Sequence, residues 1–190
     1  LALMRSIFDS PAGRERMIAL TRRMQEVFAR LEALPKVTLA EIGGAAMGGG
    51  FELALACDLR IVSETARIGL PEARLGLLPA AGGTQRMTRI CGEAAARRLI
   101  LGAELVGGED AVGLGLAQWS APSAEIEAVA RALAGRIAEL PAATLAACKR
   151  CIDTALDAGA DGYEAELAGS ASLLAEPETR RRVTSFLEKR

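Results

Sequence analysis

The sequence predicts an α/β core over residues 1–120 followed by an all-helical region over residues 121–190. Three observations carry that division. Short apolar runs between Val37 and Ser120 alternate with helical segments bounded by glycine. The stretch Glu41–Gly83 holds two glycine-dense turns, Gly43–Gly50 and Ala80–Gly83, each with a carboxylate close by. Beyond Ala121 the helical patterns are broken only at Pro141, Gly159–Asp161 and Pro177, with no strand pattern between them.

The first element is a helix over Arg14–Leu34. Met17, Leu20, Met24, Val27, Phe28, Leu31 and Leu34 recur at three and four, an apolar stripe opposed by arginines and glutamates. Asp9-Ser10-Pro11 supplies the start signal, and Pro35 closes the helix because it cannot donate to the preceding turn. Val37–Ile42 reads as a buried strand that runs into the first glycine turn, and Phe51–Asp58 as the short helix leaving it. Leu59–Ser63 and Ala66–Leu70 read as two strands, the second ended by Pro71. Gly82–Ile90 and Glu93–Leu101 read as helices broken at Cys91-Gly92; Gly107–Gly115 holds a helix of about two turns, and Leu116–Ser120 a last strand. Four helices complete the chain: Glu125–Leu140, Ala142–Ala158, Gly162–Ala175 and Glu178–Arg190. No fixed-period repeat is visible.

Bulk properties exclude several function classes. With 190 residues the chain can bury a real core, and 51% hydrophobic with 25% charged residues is ordinary for a globular protein. A net charge of −1 gives no whole-chain steering toward nucleic acid or an anionic membrane, and the arginine runs at 22–23, 97–98 and 180–182 alternate with acids as solvated helix faces do. No apolar run approaches the ~20 residues of a membrane span, and the sequence shows no charged-then-apolar signal-peptide pattern. The chain starts at Leu1 with no cap or turn ahead of LALMRSIFDS, so it is expected to begin partway through a larger protein. It has no histidine, which removes the commonest general base, the Ser-His-Asp and Cys-His arrangements, and most zinc and iron sites. Cys148 and Cys151 form a C-x-x-C, but inside a helical pattern with no preceding strand and no second ligand pair; a structural role in a reducing, cytoplasmic setting fits them.

The chemistry concentrates in Glu41–Gly83. A strand that stops in glycines and restarts as a helix presents bare backbone N–H groups backed by the helix dipole. Phosphate is a poor occupant: Phe51-Glu52 stands where a Walker loop needs Lys-Ser/Thr, G-x-G-x-x-G is not matched, and Glu52 would repel the anion. Such donors are better suited to an oxyanion formed only during reaction, as when a thioester carbonyl becomes an enolate. Glu52 and Glu72, twenty residues apart, can then face one cavity, where two like charges push one pKa upward and make an acid and a base of the same residue type. On the residues alone a plainer reading is favoured. Glu52 can be an acid favoured at a helix start, Glu72 a loop acid after Pro71, and the glycines a packing device.

The run GGAAMGGGFELALACDLRIVSETARIGLPEARLGLLPAAGGTQR resembles the signature of the crotonase family, the enoyl-CoA hydratase/isomerase superfamily. The resemblance is continuous from about Lys36 to Arg89 and weaker to Arg190. It implies a spiral of ββα units with a C-terminal helical region that serves oligomerisation and covers the site, in homotrimers that often pair into hexamers. The substrate it implies is an acyl-CoA thioester, with no separate cofactor because coenzyme A arrives as part of the substrate, and no metal. Gly49 matches the position of one oxyanion amide, and Glu52 and Glu72 match the two hydratase glutamates, one helping water attack C3 and the other delivering a proton to C2. Substrate-binding positions carried over are Met47, Gly48, Pro71, Pro79 and Ala80, with Phe186 and Lys189 near the coenzyme A of a neighbouring subunit. Lys36 matches a lysine before the strand, with a local role.

Two departures accompany the likeness. Ala80 stands where glycine is frequent, and its methyl can alter substrate shape or water placement. The family's first strands and the A-G-A-D-like turn that gives the other oxyanion amide are expected ahead of Leu1. The implied activity is hydration of a 2-enoyl-CoA to a 3-hydroxyacyl-CoA. Double-bond isomerisation or another crotonase reaction is the near alternative, and a non-catalytic CoA-thioester or RNA-binding module the distant one; low aromatic content (3%) argues against nucleic acid.

Overall fold

The computed structural model describes residues 11–188. The chain divides into two compact units, one comprising the residues up to Leu34 with Thr38–Arg131, the other Pro35–Val37 with Ala132–Arg190.

In the first unit, helix α1 (Pro11–Glu32) precedes two successive strand–strand–helix passages. The first is β1 (Leu39–Ile42), β2 (Ala45–Met47) and α2 (Gly49–Leu55). The second is β3 (Leu59–Ser63), β4 (Arg67–Gly69), a 3₁₀ turn (Glu72–Leu75) and α3 (Gly83–Leu101). Corresponding strands pair in parallel: β1 on β3 with Leu39 opposite Leu59, and β2 on β4 with Met47 opposite Gly69. Each passage is thus one turn of a spiral laid on the last, the helix supplying the crossover that parallel pairing requires. Helix α4 (Gly108–Gly113) and β5 (Trp119–Ala121) extend the stack, β5 pairing in parallel with β3.

The register is locked at its start. Asp58 Oδ2 accepts from the Thr38 amide (2.7 Å) and hydroxyl (2.8 Å), while the Asp58 amide donates to Thr38 Oγ1 (2.9 Å). Between strands and helices lies a core in which Phe51, Ile61, Ile68, Leu70, Met87, Leu99 and Leu116 are fully buried. Each such side chain is worth about 1.5–3 kcal/mol of transfer free energy. Arg60 is buried among them; its Nε donates to Leu116 O (2.6 Å) and its Nη1 to Cys57 O (2.7 Å) and Ala54 O (3.3 Å). Burial lowers its pKa, yet the cation sits at the carbonyl end of α2, where the helix dipole favours positive charge.

In the second unit α5 (Ile126–Ala138), which starts in the first, continues into α6 (Ala142–Thr154), α7 (Gly162–Leu174) and α8 (Pro177–Glu188). Asp161 caps α7 by accepting from the amides of Tyr163 and Glu164. Gly169 of α7 lies against Cys151 and Ala147 of α6, and Lys149 Nζ donates to the backbone carbonyl of Lys36, 113 residues away in sequence. The C-x-x-C pair is helical as expected, and none of the four cysteines forms a disulfide.

Most elements fall where the pattern places them, and three features differ. The first glycine-rich stretch contains β2, whose three residues are ordered by pairing with β4 and not by side chains that favour strands. The stripe on α1 is only partly covered: Phe28 is buried and Met17, Met24 and Leu31 half-buried, while Leu20, Val27 and Leu34 are exposed. The predicted break at Cys91-Gly92 is a kink within α3, where Gly92 has φ 78°. Among the described residues no helix is long and apolar enough to cross a membrane.

Candidate functional site

The stacking of β2 on β4 decides where the two glutamates go. The chain leaves β2 at Met47 and enters α2 through Gly48, which has φ 55°, a left-handed conformation that glycine adopts without strain. The Gly48 amide donates to Gly69 O (3.1 Å), fastening this exit to the end of β4. One level on, the chain leaves β4 through Leu70 and Pro71 and turns into the 3₁₀ segment at Glu72. The two exits are therefore neighbours. A Cβ on Gly48 would stand 3.0 Å from Glu72 Oε1, so the missing side chain is what lets that carboxyl lie over the start of α2.

Glu52 is the fourth residue of α2 and only 3% exposed. Its Oε1 accepts from the amide of Gly83 (2.8 Å), the first residue of α3. Gly83 too has no room for a side chain: a Cβ would lie 2.8 Å from that oxygen and 2.7 Å from Pro79 Cβ. Both glycine turns thus serve a carboxylate, Gly48 making room for Glu72 and Gly83 holding Glu52.

The electrostatics set these acids apart from surface carboxylates. Burial raises the pKa of Glu52, against hydrogen bonds from the backbone of Gly83 and Ala81 and the positive charge of Arg86. Burial also raises that of Glu72, offset by its own backbone amide, and the charge of Glu52 raises it further. Glu72 Oε2 is buried with no hydrogen-bond partner among the described residues. A buried carboxyl oxygen without a donor is costly unless it is protonated or meets a guest. The first amides of α2, starting at Gly49, have no acceptor one turn earlier within the helix and face the same exit.

Of the other expected positions, Pro79 is buried, Gly48, Gly49, Pro71 and Ala80 are half-buried and Met47 is exposed. All lie in the first unit with the two glutamates. Phe186 is 61% exposed on α8 of the second unit, and Lys189 lies outside the described residues. Sequence reasoning missed the Gly83 amide, together with Gln25, Glu32 and Arg86 around the second turn; an arginine three residues past a glycine pair on an otherwise apolar face was the available signal. Among the described residues no group of three or more His, Cys, Asp or Glu side chains is placed to hold a metal ion.

The family described as enoyl-CoA hydratase/isomerase matches residues 12–190. The chain belongs to this family. It is 39% identical over 188 residues to a probable enoyl-CoA hydratase of Bacillus subtilis, covering 96% of this chain and 72% of that one. It is 34% identical to a short-chain-enoyl-CoA hydratase of Clostridium acetobutylicum over 168 residues, covering 87% of this chain and 64% of that protein. Among solved structures, DspI of Pseudomonas aeruginosa superposes with a TM-score of 0.86 at 38% identity, over 95% of this chain and 68% of that one. The α/β spiral of this enoyl-CoA hydratase/isomerase family member is the crotonase fold.

Proposed function

We propose that this protein is an enoyl-CoA hydratase that adds water across the double bond of a 2-enoyl-CoA to give a 3-hydroxyacyl-CoA. The observation that carries the reading is the pairing of two desolvated carboxyls at one strand exit, Glu52 pinned by the Gly83 amide and Glu72 with a buried oxygen left open. Hydration needs one base and one acid, and like charges in a dry site divide those roles between two glutamates. The roles follow the family resemblance, Glu52 the base and Glu72 the acid; burial, and then the charge of Glu52, push Glu72 upward in the direction an acid needs.

In this mechanism a water lies between the carboxyls. Its oxygen bonds to C3 as a proton passes to Glu52. The displaced π electrons move onto the thioester oxygen, and the enolate is held by the Gly49 amide. Glu72 then gives its proton to C2, the thioester carbonyl re-forms, and return of the proton from Glu52 to Glu72 resets the pair. Fixed amide donors at the enolate oxygen cost no reorganisation during the reaction. Met47, Gly48, Pro71, Pro79 and Ala80 shape the acyl end of the site, and Phe186 and Lys189 approach the coenzyme A of a neighbouring subunit. The names of the hydratase relatives support the substrate class.

The same reading includes a homotrimer or a pair of trimers, in which the helical region contributes to assembly and covers the site. Exposed Leu75, Leu78 and Leu101 in the first unit, and Ile152 and Leu174 in the second, support burial on assembly. Four cysteines outside any disulfide support a cytoplasmic setting.

The test is turnover of the full-length protein on crotonyl-CoA and longer enoyl-CoAs, with products identified by mass and chirality. Glu52→Gln and Glu72→Gln are each expected to lower kcat by ~10²–10⁴-fold. Unchanged turnover in both variants ends this assignment, and a shifted double bond without added water replaces it with isomerisation.

A further inference from the structure

Arg86 is buried, 7% exposed, and the mechanism above gives it no task. Its surroundings are built with care. From one turn into α3 its Nη1 returns to Ala81 O (3.1 Å), while Nη2 and Nε reach Glu32 Oε2 (2.8 and 3.2 Å) at the end of α1. Gly82, between those contacts, has φ 107°, and a Cβ there would fall on Arg86 Nη1. The guanidinium thus fills the place of a side chain under the turn. A second contact comes from the same helix, where Gln25 Nε2 donates to Ala80 O (2.6 Å). Gln25 of α1 thus holds the Ala80 carbonyl and Arg86 of α3, anchored on Glu32 of α1, holds the Ala81 carbonyl, and the next peptides present the amide that holds Glu52.

We propose that Arg86, tied to Glu32, is a positioning residue for Glu52: it fixes the Ala80–Gly83 turn so that the Gly83 amide meets the carboxylate. Arginine suits the task because its planar fork serves a carboxylate and a carbonyl at once, which a lysine ammonium cannot do in the same geometry. The charged groups around Glu52 are Arg86 from α3, with Glu32 of α1 behind it, and Glu72 from the 3₁₀ turn. Substitutions at Arg86 leave Glu72 in place, so a change in the behaviour of Glu52 reports on the turn and on the arginine charge. Its effect on kcat rests on the hydratase reading; its effect on the Glu52 carboxyl does not.

The experiment follows the titration of the Glu52 carboxyl by NMR in full-length protein labelled with ¹³C at glutamate carboxyls, the resonance assigned by its loss in Glu52→Gln. Wild type is compared with Arg86→Met and Arg86→Lys, with circular dichroism as the check on folding. In Arg86→Met the carboxyl is expected to titrate at higher pH and kcat to fall about tenfold or more, with KM within about twofold. Arg86→Lys, which keeps the charge and loses the fork, is expected to titrate closer to wild type while still losing kcat. An unmoved Glu52 titration in folded Arg86→Met overturns the proposal. If that variant does not fold, Arg86→Lys decides: unmoved titration with unmoved kcat overturns it, and a loss of kcat at constant KM supports it. A wild-type protein that hydrates no enoyl-CoA defeats the functional reading, and the titration still decides the role of Arg86.

Discussion

Gly83→Ala puts the geometry of the site to its most direct trial. The added Cβ would lie 2.7 Å from Pro79 Cβ, 2.8 Å from Glu52 Oε1 and 2.9 Å from Leu70 Cδ1, all closer than a real methyl tolerates. Pro79 is a rigid buried ring and Leu70 a fully buried core residue, so the carboxylate is the neighbour that gives way. Overpacking of this kind costs about 1–3 kcal/mol. Loss of the 2.8 Å hydrogen bond from the Gly83 amide to a charged oxygen adds about 1.5–3 kcal/mol. Restricting the unfolded chain returns only about 0.4–1 kcal/mol. The net expectation is a destabilisation of about 2–5 kcal/mol with a fall in kcat of ~10²-fold or more. Gly50→Ala is the matched comparison, since a Cβ there meets nothing within 4 Å; it should keep the entropic gain alone. Urea denaturation gives the stability of both, and the loss of ultraviolet absorbance of the conjugated thioester gives turnover. If Gly83→Ala unfolds at the same urea concentration as Gly50→Ala and turns over like wild type, the close approach of Glu52 to this turn is not the organising contact.

Three further outcomes follow from the same coordinates. Because burial raises the folded-state pKa of Glu52, its contribution to stability is fully present below its unfolded value and is lost as pH rises through the folded one; Glu52→Gln should therefore flatten the fall in Tm with rising pH and be the more stable protein at neutral pH, and a Tm–pH curve parallel to wild type refutes this. Arg60→Met keeps the bulk of the side chain but strips donors from Leu116 O, Cys57 O and Ala54 O; about 2–4 kcal/mol should be lost in urea titration, and a loss under ~0.5 kcal/mol would show the buried cation to be dispensable. In timed iodoacetamide labelling read by mass spectrometry, exposed Cys148 should react well before Cys91, whose pKa is raised by burial and whose thiol lies 3.1 Å from Met87 O; the reverse order counts against that burial.

How far the sequence revealed this site depended on what each feature needed. Helices with caps and breakers, such as the one started at Asp161, were legible because their signals lie within a few residues. The β2 strand was not, because Ala-Ala-Met becomes a strand only when β4 is alongside. Glu52 and Glu72 stood out through the resemblance of their surroundings, since the residues alone favoured a helix-start acid and a loop acid. The glycine turns announced close approach without saying of what: the guests of Gly48 and Gly83 are side chains distant in the sequence, visible only once the strands are stacked. Gln25, Glu32 and Arg86 were hidden for the same reason, lying 54 residues apart across the Glu32–Arg86 pair. The stripe on α1 forecast more burial than the described residues provide.

The opposition of Met47 and Gly69 across β2 and β4 makes this architecture a ladder whose rungs can be refitted one at a time. On the proposed reading, the lower rung ends in the amides that would steady an anion, and the rung above ends in an acid held in register by main-chain pairing that ignores side-chain identity. Exchanging residue 72 would leave the lower rung standing. A lineage can therefore trade one proton donor for another, or for none, and explore a different fate for the same activated thioester without rebuilding the frame.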